Sequence, residues 1–600
     1  MAKATNEFHF SPRPNRANEI QWRPWGQQPF KEAEESGKPI LLALSAVWCH
    51  WCHVMDETSY SDPRIISYIN ENYVPVRVDN DQRPDINTRY NMGGWPTTAF
   101  LTAEGEVLTG GTYVPPDKMW ELLPQISSYY AENRADVTRK IEQSRKDQSA
   151  AAPAAPGDLS PDIFDNVLRS AVQNYDPEYG GFGGAPKFPH SDVLDLLLYG
   201  HRRGDNTEFL AMAGKTLESM AYGGVFDDQW GGFFRYATNR DWSVPHYEKM
   251  LEDNANLLSS LLALYRSSHD EAHADIARLT IDYMEDHLRD KAEGFFYGSQ
   301  DADEEFYKLP AAEREGRDEP YIDHTCYTAW NALTASAFLE ASWTLDRPEL
   351  GEAAVAALNF AWERCREPGQ GMYRFHDGSS PQVLGLLGDQ VHMARALLDA
   401  HEVTGDSTHL ERALELARLL QERFADGENG GFYDAWDRGD DLGRLRDREK
   451  PLQENSVAAE VFWRLHHLTR DEQYGQVAQA TLEAFVGIYA QGGFFAGGYA
   501  RQVDIILNQT VEVNIVGDLA RAPTRALQRA ALALDQPARV VQVLHPQRDA
   551  ARLGALALPS EPVPAAYVCV GTTCSAPVRR AAGLPKAVRA VQKAGGSSSS

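Results

Sequence analysis

Two changes of hydrophobic rhythm divide the chain. The first 150 residues are written in short apolar runs. Pro39 to Val47 is a continuous apolar run suited to a buried strand, and the polar stretch opening at Val54 and Met55 suits a helix. Pro63 to Asn72 reads as a second helix and Tyr73 to Asp79 as a strand. Thr97 to Thr102 and Glu106 to Leu108 form a predicted hairpin turning at Glu104-Gly105, and residues 117 to 146 a closing helix. This β-α-β-β-α ending is the thioredoxin order.

Beyond the Ala/Pro-rich segment 149–158, read as a linker, the period lengthens. A glycine followed by aromatic or apolar residues recurs at Gly181, Gly232, Gly294, Gly371, Gly431 and Gly493. Long helical patterns follow, among them Leu257 to Tyr265, Trp330 to Trp343, Val391 to His401 and Val457 to Leu468. Six such hairpins are what an (α/α)6 toroid requires, an open helical solenoid being the competing architecture. After Thr510 the rhythm returns to strands, at Val511 to Val516, Val540 to Leu544 and Ala566 to Val570, around a helix at Pro523 to Leu534. The expected fold class is therefore multidomain, α/β plus all-α. It comprises a thioredoxin-like domain (1–148), a linker (149–158), the toroid (159–509), a small α/β cap (510–594) and a disordered tail (595–600).

Six hundred residues exceed one core, in keeping with two to four domains. A net charge of −28 argues against nucleic acid or an anionic membrane as partner. No run reaches the roughly 18 apolar residues of a membrane span, and the polar start, Met1 to Asn18, is no secretory signal. Six cysteines then suggest a reducing cytoplasm.

The chemistry centres on Cys49-His50-Trp51-Cys52, set where the apolar strand feeds a helix. A helix start favours thiolate, and a thiolate with a partner cysteine three residues on is a dithiol–disulfide exchanger. Cys49 is the expected attacking thiolate and Cys52 the resolving thiol. His50 and His53 are expected to stabilise the thiolate, and Trp95 and Pro96 to line the substrate groove. A thioredoxin fold places a cis-proline at that position. A zinc site completed by His50 and His53 is the alternative, but no second cysteine pair stands nearby. No cofactor or metal is called for.

Paired polar groups gather where the toroid's inner helices should begin. Pro245 suits a first helical turn, and Glu248 and Glu252, four apart, would share one helix face. Trp242, His246, Glu248, Asp253, Asp301, Asp303, Trp330, Asn331, Asp389, His392, Glu454 and Asn455 are the funnel candidates. Carboxylates, imidazoles and aromatic faces around a concave site suit sugar chemistry. His246 with His392 is a candidate acid/base pair, and Asp301 with Asp303, or Glu248 with Asp389, a candidate hydrolytic pair. Singly, such residues as readily cap and lock helices. Cys569 and Cys574 fit a disulfide, a zinc half-site or a dithiol trading electrons with Cys49/Cys52. Cys326 and Cys365 read as buried apolar residues.

Several stretches together resemble the spermatogenesis-associated protein 20-like family: Cys49 to Met55, Arg83-Pro84-Asp85, Gly93 to Pro96, Gly110 to Tyr113, Gly181 to Pro189, His246 to Leu251, Asp301 to Asp303, Trp330-Asn331 and Asn455 to Ala459. The resemblance implies a thioredoxin-like domain fused to a six-hairpin glycosidase-like toroid akin to the N-acylglucosamine 2-epimerase group. Ala43 departs from thioredoxins, which keep a buried acid there. The leading expectation is a cytoplasmic thiol–disulfide protein, its toroid binding a carbohydrate-like ligand or presenting the redox domain to a thiol client protein. The alternative is a sugar epimerase, isomerase or hydrolase acting in the funnel.

Overall fold

In the computed structural model, which describes residues 8–150, 155–437, 439 and 441–596, the apolar run becomes β1 (Ile40–Ser45), buried at every position. Successive side chains of a strand point to opposite faces. Leu41 and Ala43 therefore pack with Met55, Ile65 and Ile69, while Ile40, Leu42 and Leu44 pack with Val76, Tyr90 and Leu101. Both faces are covered, which is why this strand carries no polar alternation. Around it lie α1 (Gln27–Ser36), α2 (His50–Glu57), α3 (Pro63–Asn72), β2 (Val74–Asp79), α4 (Pro84–Tyr90), β3 (Thr97–Leu101), β4 (Val107–Gly111) and α5 (Pro116–Ala150). The sheet order is β2-β1-β3-β4, with β1 parallel to β2 and antiparallel to β3. This is the thioredoxin-like arrangement.

The toroid alternates outer and inner helices. Its inner helices are α7 (Ser191–Gly204), α9 (Leu251–Ser268), α11 (Thr328–Thr344), α13 (Leu387–Thr404), α15 (Leu452–Thr469) and α17 (Gly497–Leu507). Each packs on the next, and α17 returns to α7, so the ring closes rather than spiralling as a solenoid. The outer helices α8 (Thr207–Ala221), α10 (Glu271–His287), α12 (Pro348–Arg364), α14 (Ser407–Arg423) and α16 (Glu472–Glu483) back the inner helix preceding each. The sixth outer helix, α6 (Asp162–Asn174), comes from the start of the unit and backs α17. Inner helices are enclosed on nearly all sides, and α11 buries residues around its whole circumference.

The glycine repeats tie the hairpins together. All six glycines have positive φ. At Gly232, φ 81°, a Cβ would also stand 2.5 Å from the Tyr283 ring, so only glycine fits. In four of the repeats the first or second residue after the glycine is gripped by an amide one turn into the following inner helix. Asn254 accepts from the Phe233 N–H at 2.7 Å and donates to its carbonyl at 3.1 Å. Asn331 holds Phe296, Gln390 holds Met372 and Asn455 holds Phe432 in the same way. Asn331 and Asn455, expected in the funnel, are thus buried clamps whose amides are spent on the backbone.

The C-terminal unit holds β5 (Val511–Val516), α18 (Ala522–Leu532), β6 (Arg539–Leu544), β7 (Ala565–Val570), β8 (Thr573–Cys574) and α19 (Leu584–Gly596), in sheet order β6-β5-β7-β8. It docks where α13 ends, Gln528 donating to the Glu402 and Val403 carbonyls at 2.7 Å. Gly595 and Gly596, expected in the tail, end α19. Residues 151–154 of the expected linker and 597–600 of the tail lie outside the described residues. No described helix is long and apolar enough to cross a membrane.

Candidate functional site

The N-terminal ends of the inner helices form the toroid mouth, and the thioredoxin-like unit lies across it. Arg89 of α4 meets the Asp434 carboxylate at 2.7 Å and donates to the carbonyls of Arg444 and Asp447 at 3.0 and 2.8 Å. From the toroid, Arg374 donates to the Asp81 carbonyl at 2.8 Å. The Arg235 guanidinium covers the Trp48 ring at 4.2 Å and the Trp95 ring at 5.1 Å. The two candidate chemistries therefore share one interface.

Cys49 is the N-cap of α2, and its sulfur accepts from the Cys52 N–H at 3.2 Å. The unpaired amides of a helix start favour negative charge on that sulfur. Cys49 and Cys52 are disulfide-bonded, their Cα atoms 5.2 Å apart. The Trp95–Pro96 bond is cis. Only 4% of Cys49 and 2% of Cys52 is exposed, and both join the apolar cluster of the toroid.

His53 does not act as expected. Its Nε2 lies 3.0 Å from the Val47 carbonyl and its Nδ1 3.6 Å from Asp301. Burial, with the neighbouring His9, pulls its pKa down to about 4, so the ring is neutral at pH 7 and supplies no positive charge to a thiolate. Burial pushes Asp301 up to about 8, so the pair meets as two neutral groups. His50 lines a separate rim cleft of about 660 Å³, with Trp51, His246, Tyr247 and Asp303. The two histidines and the cysteines do not converge on one point.

A linked pH dependence follows. Folded Asp301 keeps its proton up to about 8, while the unfolded carboxyl loses it near 4. The folded state then binds more protons, so this group's contribution to stability falls as pH rises from about 4 to about 8. His53 acts oppositely between about 4 and 6.5, where only the unfolded ring is protonated. The two offset below pH 6.5. Above it Asp301→Asn should flatten the decline in urea midpoint, leaving the parts due to Glu252, which burial and Asp253 push up to about 7, and to Asp79, which burial raises well above the usual carboxylate range. An unchanged slope would remove Asp301 from the titration.

The toroid's own acids divide by place. Glu252, Asp389 and Glu454 line a cavity of about 230 Å³ with Trp330 and His392, roofed by Pro84, Asp85 and Thr88 of α4. Burial pushes Asp389 up to about 6, against the pull of Arg374 at 3.3 Å, and raises Glu454. Burial also pushes Asp253 up to about 6, outside this cavity. Burial opposes the charge on Glu248, but His246 at 3.6 Å and Arg235 outweigh it and hold the carboxyl below its usual range.

Other expectations need correction. Pro245 and His246 form a short strand and α9 starts only at Leu251, so Glu248 and Glu252 share no helix face. Trp242 is fully buried, its indole N–H on the Tyr179 carbonyl at 3.0 Å, and offers no stacking face. Asp303 is exposed and caps the short helix Glu304–Tyr307 through the Glu305 and Phe306 amides, apart from buried Asp301. His246 and His392 line different cavities, and burial drops His392 to about 3. Glu248 does not line the cavity that holds Asp389. Cys569 and Cys574 are disulfide-bonded in the C-terminal unit, at the opposite end of the toroid from Cys49. An 18-residue inner helix such as α13 spans about 27 Å between those ends, so direct exchange is excluded in this arrangement. Cys326 and Cys365 are free and fully buried.

Sequence reasoning missed Asp56 and Arg77. Asp56 lies one turn beyond Cys52 on α2, and both its oxygens are held by Arg77 of β2, at 2.8 and 2.9 Å. Arg77 is the register partner of Ala43. An arginine inside the apolar strand Val74–Asp79 was the available signal.

Residues 11–148 match the family model described as Thioredox_DsbH, a protein of unknown function, DUF255. The chain is 26% identical over 699 residues to spermatogenesis-associated protein 20 of Homo sapiens, covering 94% of this chain and 88% of that one. A shorter stretch is 30% identical over 97 residues to the thiol:disulfide interchange protein DsbD of Campylobacter jejuni, covering 16% and 17% of the two chains. Among solved structures, a cellobiose 2-epimerase from Bacillus thermoamylovorans aligns with a TM-score of 0.47 at 13% identity, over 58% of this chain and 98% of that one. The chain is thus similar over most of its length to spermatogenesis-associated protein 20, and is built as a thioredoxin-like unit docked on an (α/α)6 toroid.

Proposed function

We propose that the chain is a thiol–disulfide exchange protein working through Cys49 and Cys52 in a reducing cytoplasm, with the toroid as a docked, ligand-binding cover. The observation that carries this is the place of Cys49 at the first turn of α2, its sulfur against the Cys52 amide. The reduced Cys49 thiolate attacks one sulfur of a client disulfide; a mixed disulfide forms and the other client sulfur leaves as thiolate. The Cys52 thiolate then attacks Cys49, closing the Cys49–Cys52 disulfide and releasing the second client sulfur as thiolate. The client is oxidised at the start and reduced by two electrons at the end. Trp95 and Pro96 form the wall of the client groove. Thiolate stabilisation is assigned to the helix end, because His53 is neutral.

Incubated reduced with a small disulfide, Cys52→Ser should accumulate a mixed disulfide seen as added mass, and Cys49→Ser should not. Equal trapping by both variants overturns the assigned roles. A second reading has its own support: Glu252 and Asp389 titrate near neutrality beside Trp330, as acid–base work on a sugar requires. It would make the chain an epimerase, isomerase or hydrolase. The Cys49→Ser/Cys52→Ser double variant separates the two, since turnover of a sugar panel survives there only if the toroid is the enzyme.

A further inference from the structure

Far from the cysteines, near the C-terminal ends of the inner helices, the toroid encloses a second cavity of about 340 Å³, bounded below by Leu532, Pro537 and Arg539 of the C-terminal unit. Its lining is charged, and the charges are unevenly matched. Arg464 is oversupplied, with Asp399 at 2.6 Å, Glu402 at 3.0 Å and Glu460 at 3.7 Å. Arg266 pairs with Glu340, and Arg501 with Asp195 at 3.5 Å. Among the described residues, Arg202, Arg395 and Arg539 form no ion pair, although all three line this cavity. The side chain of Arg539 donates to the Leu534 carbonyl at 3.1 Å.

Three polar atoms on the cavity lining are buried without a partner: Arg202 Nε, Ser336 Oγ and Gln502 Nε2. Gln502 is only 2% exposed. Native interiors satisfy nearly all such atoms, so several orphans on residues lining one cavity point to an absent occupant. Burial lowers the basicity of Arg202, Arg266 and Arg539, and the like charge of its two companions lowers that of Arg266 further. The exposed Asp535 attracts all three, Asp195 attracts Arg202 and Arg266, and Glu402 attracts Arg539, yet among the described residues only Arg266 of the three closes an ion pair, with Glu340. A buried charge lacking a counter-charge is strongly destabilising. A planar guanidinium matches the oxygens of phosphate or carboxylate in a bidentate fork.

We propose that this cavity binds a small molecule bearing an oxyanion, held by Arg202 and Arg539, with Ser336 and Gln502 donating to the oxyanion or to polar groups beside it. The site shares no lining residue with the 230 and 660 Å³ cavities of the mouth and does not depend on the thiol chemistry.

Equilibrium dialysis of the full chain against radiolabelled inorganic phosphate, at constant ionic strength in chloride, tests it. Phosphate should saturate one site per chain. Competition by acetate distinguishes a carboxylate-preferring site from a phosphate-preferring one. Arg202→Met and Gln502→Leu should each weaken binding at least tenfold, while the exposed-site control Arg317→Gln leaves it unchanged. In phosphate-free buffer Arg202→Met should melt no lower than the parent, because it removes an unmatched buried charge. The absence of saturable binding of either anion overturns the proposal. So does binding that both variants retain, or an Arg202→Met protein that melts lower yet keeps its phosphate affinity, since that marks a purely structural arginine.

Discussion

Arg77→Leu should lower the unfolding free energy by about 3–5 kcal/mol, read as a lower urea midpoint at unchanged slope. Asp56 is fully buried and Arg77 5% exposed, and the guanidinium meets the carboxylate through two hydrogen bonds. The same guanidinium donates to the His9 carbonyl at 3.1 Å and lies 4.7 Å from the Phe10 ring. Leucine would leave Asp56 with the Ser11 amide at 3.2 Å as its remaining hydrogen bond. The cost is that of an uncompensated buried charge rather than the net worth of the pair. Arg77→Leu/Asp56→Leu should therefore recover most of the loss. A single variant losing less than about 1 kcal/mol, within the usual range of a surface pair, would show that water reaches Asp56. The pair also bears on the redox chemistry. A buried acid does stand one turn from Cys52, but it comes from α2 rather than from position 43, and Arg77 holds both its oxygens. It is not free to take the Cys52 proton.

What the sequence made legible was local. The all-apolar run 39–47 could only be a strand covered on both faces, and the cysteine pair after it could only open the next helix. The glycine–aromatic repeats marked six hairpins because each needs a positive φ that other residues resist. Asn331 and Asn455 read as funnel residues because a buried amide gripping backbone looks, in sequence, like an amide aimed at a ligand. Their spacing held the answer: each is the fourth residue of an inner helix, as are Asn254 and Gln390. His53 departs from its expected role for a different reason. Its charge depends on burial beneath toroid residues some 250 positions away, and no local pattern reports that. The docking of the two units was illegible on the same ground, since Arg89 and Asp434 are ordinary surface residues until the folded units meet.

That docking sets the last expectation. Reduced Cys49 should react slowly with iodoacetamide despite its helix-end position, and at least tenfold faster in Arg89→Ala/Arg374→Ala. The helix end governs how much of the sulfur is thiolate, whereas the toroid governs whether reagent reaches it. The two arginines make four contacts across the interface, to Asp434, Arg444, Asp447 and Asp81. Hydrogen bonds to charged groups contribute about 1.5–3 kcal/mol each. Losing the equivalent of two shifts the opening equilibrium by about 3 kcal/mol, more than a hundredfold, so a tenfold gain is the lower bound. The pH profile of the opened variant should then report the sulfur itself, with a midpoint below the ordinary thiol value of about 8.5. Labelling at the parental rate in a double variant whose circular dichroism is intact would mean that reagent reaches Cys49 without undocking, and the toroid would no longer count as its cover. A midpoint at the ordinary thiol value would leave the cover in place but remove the helix end as the source of reactivity.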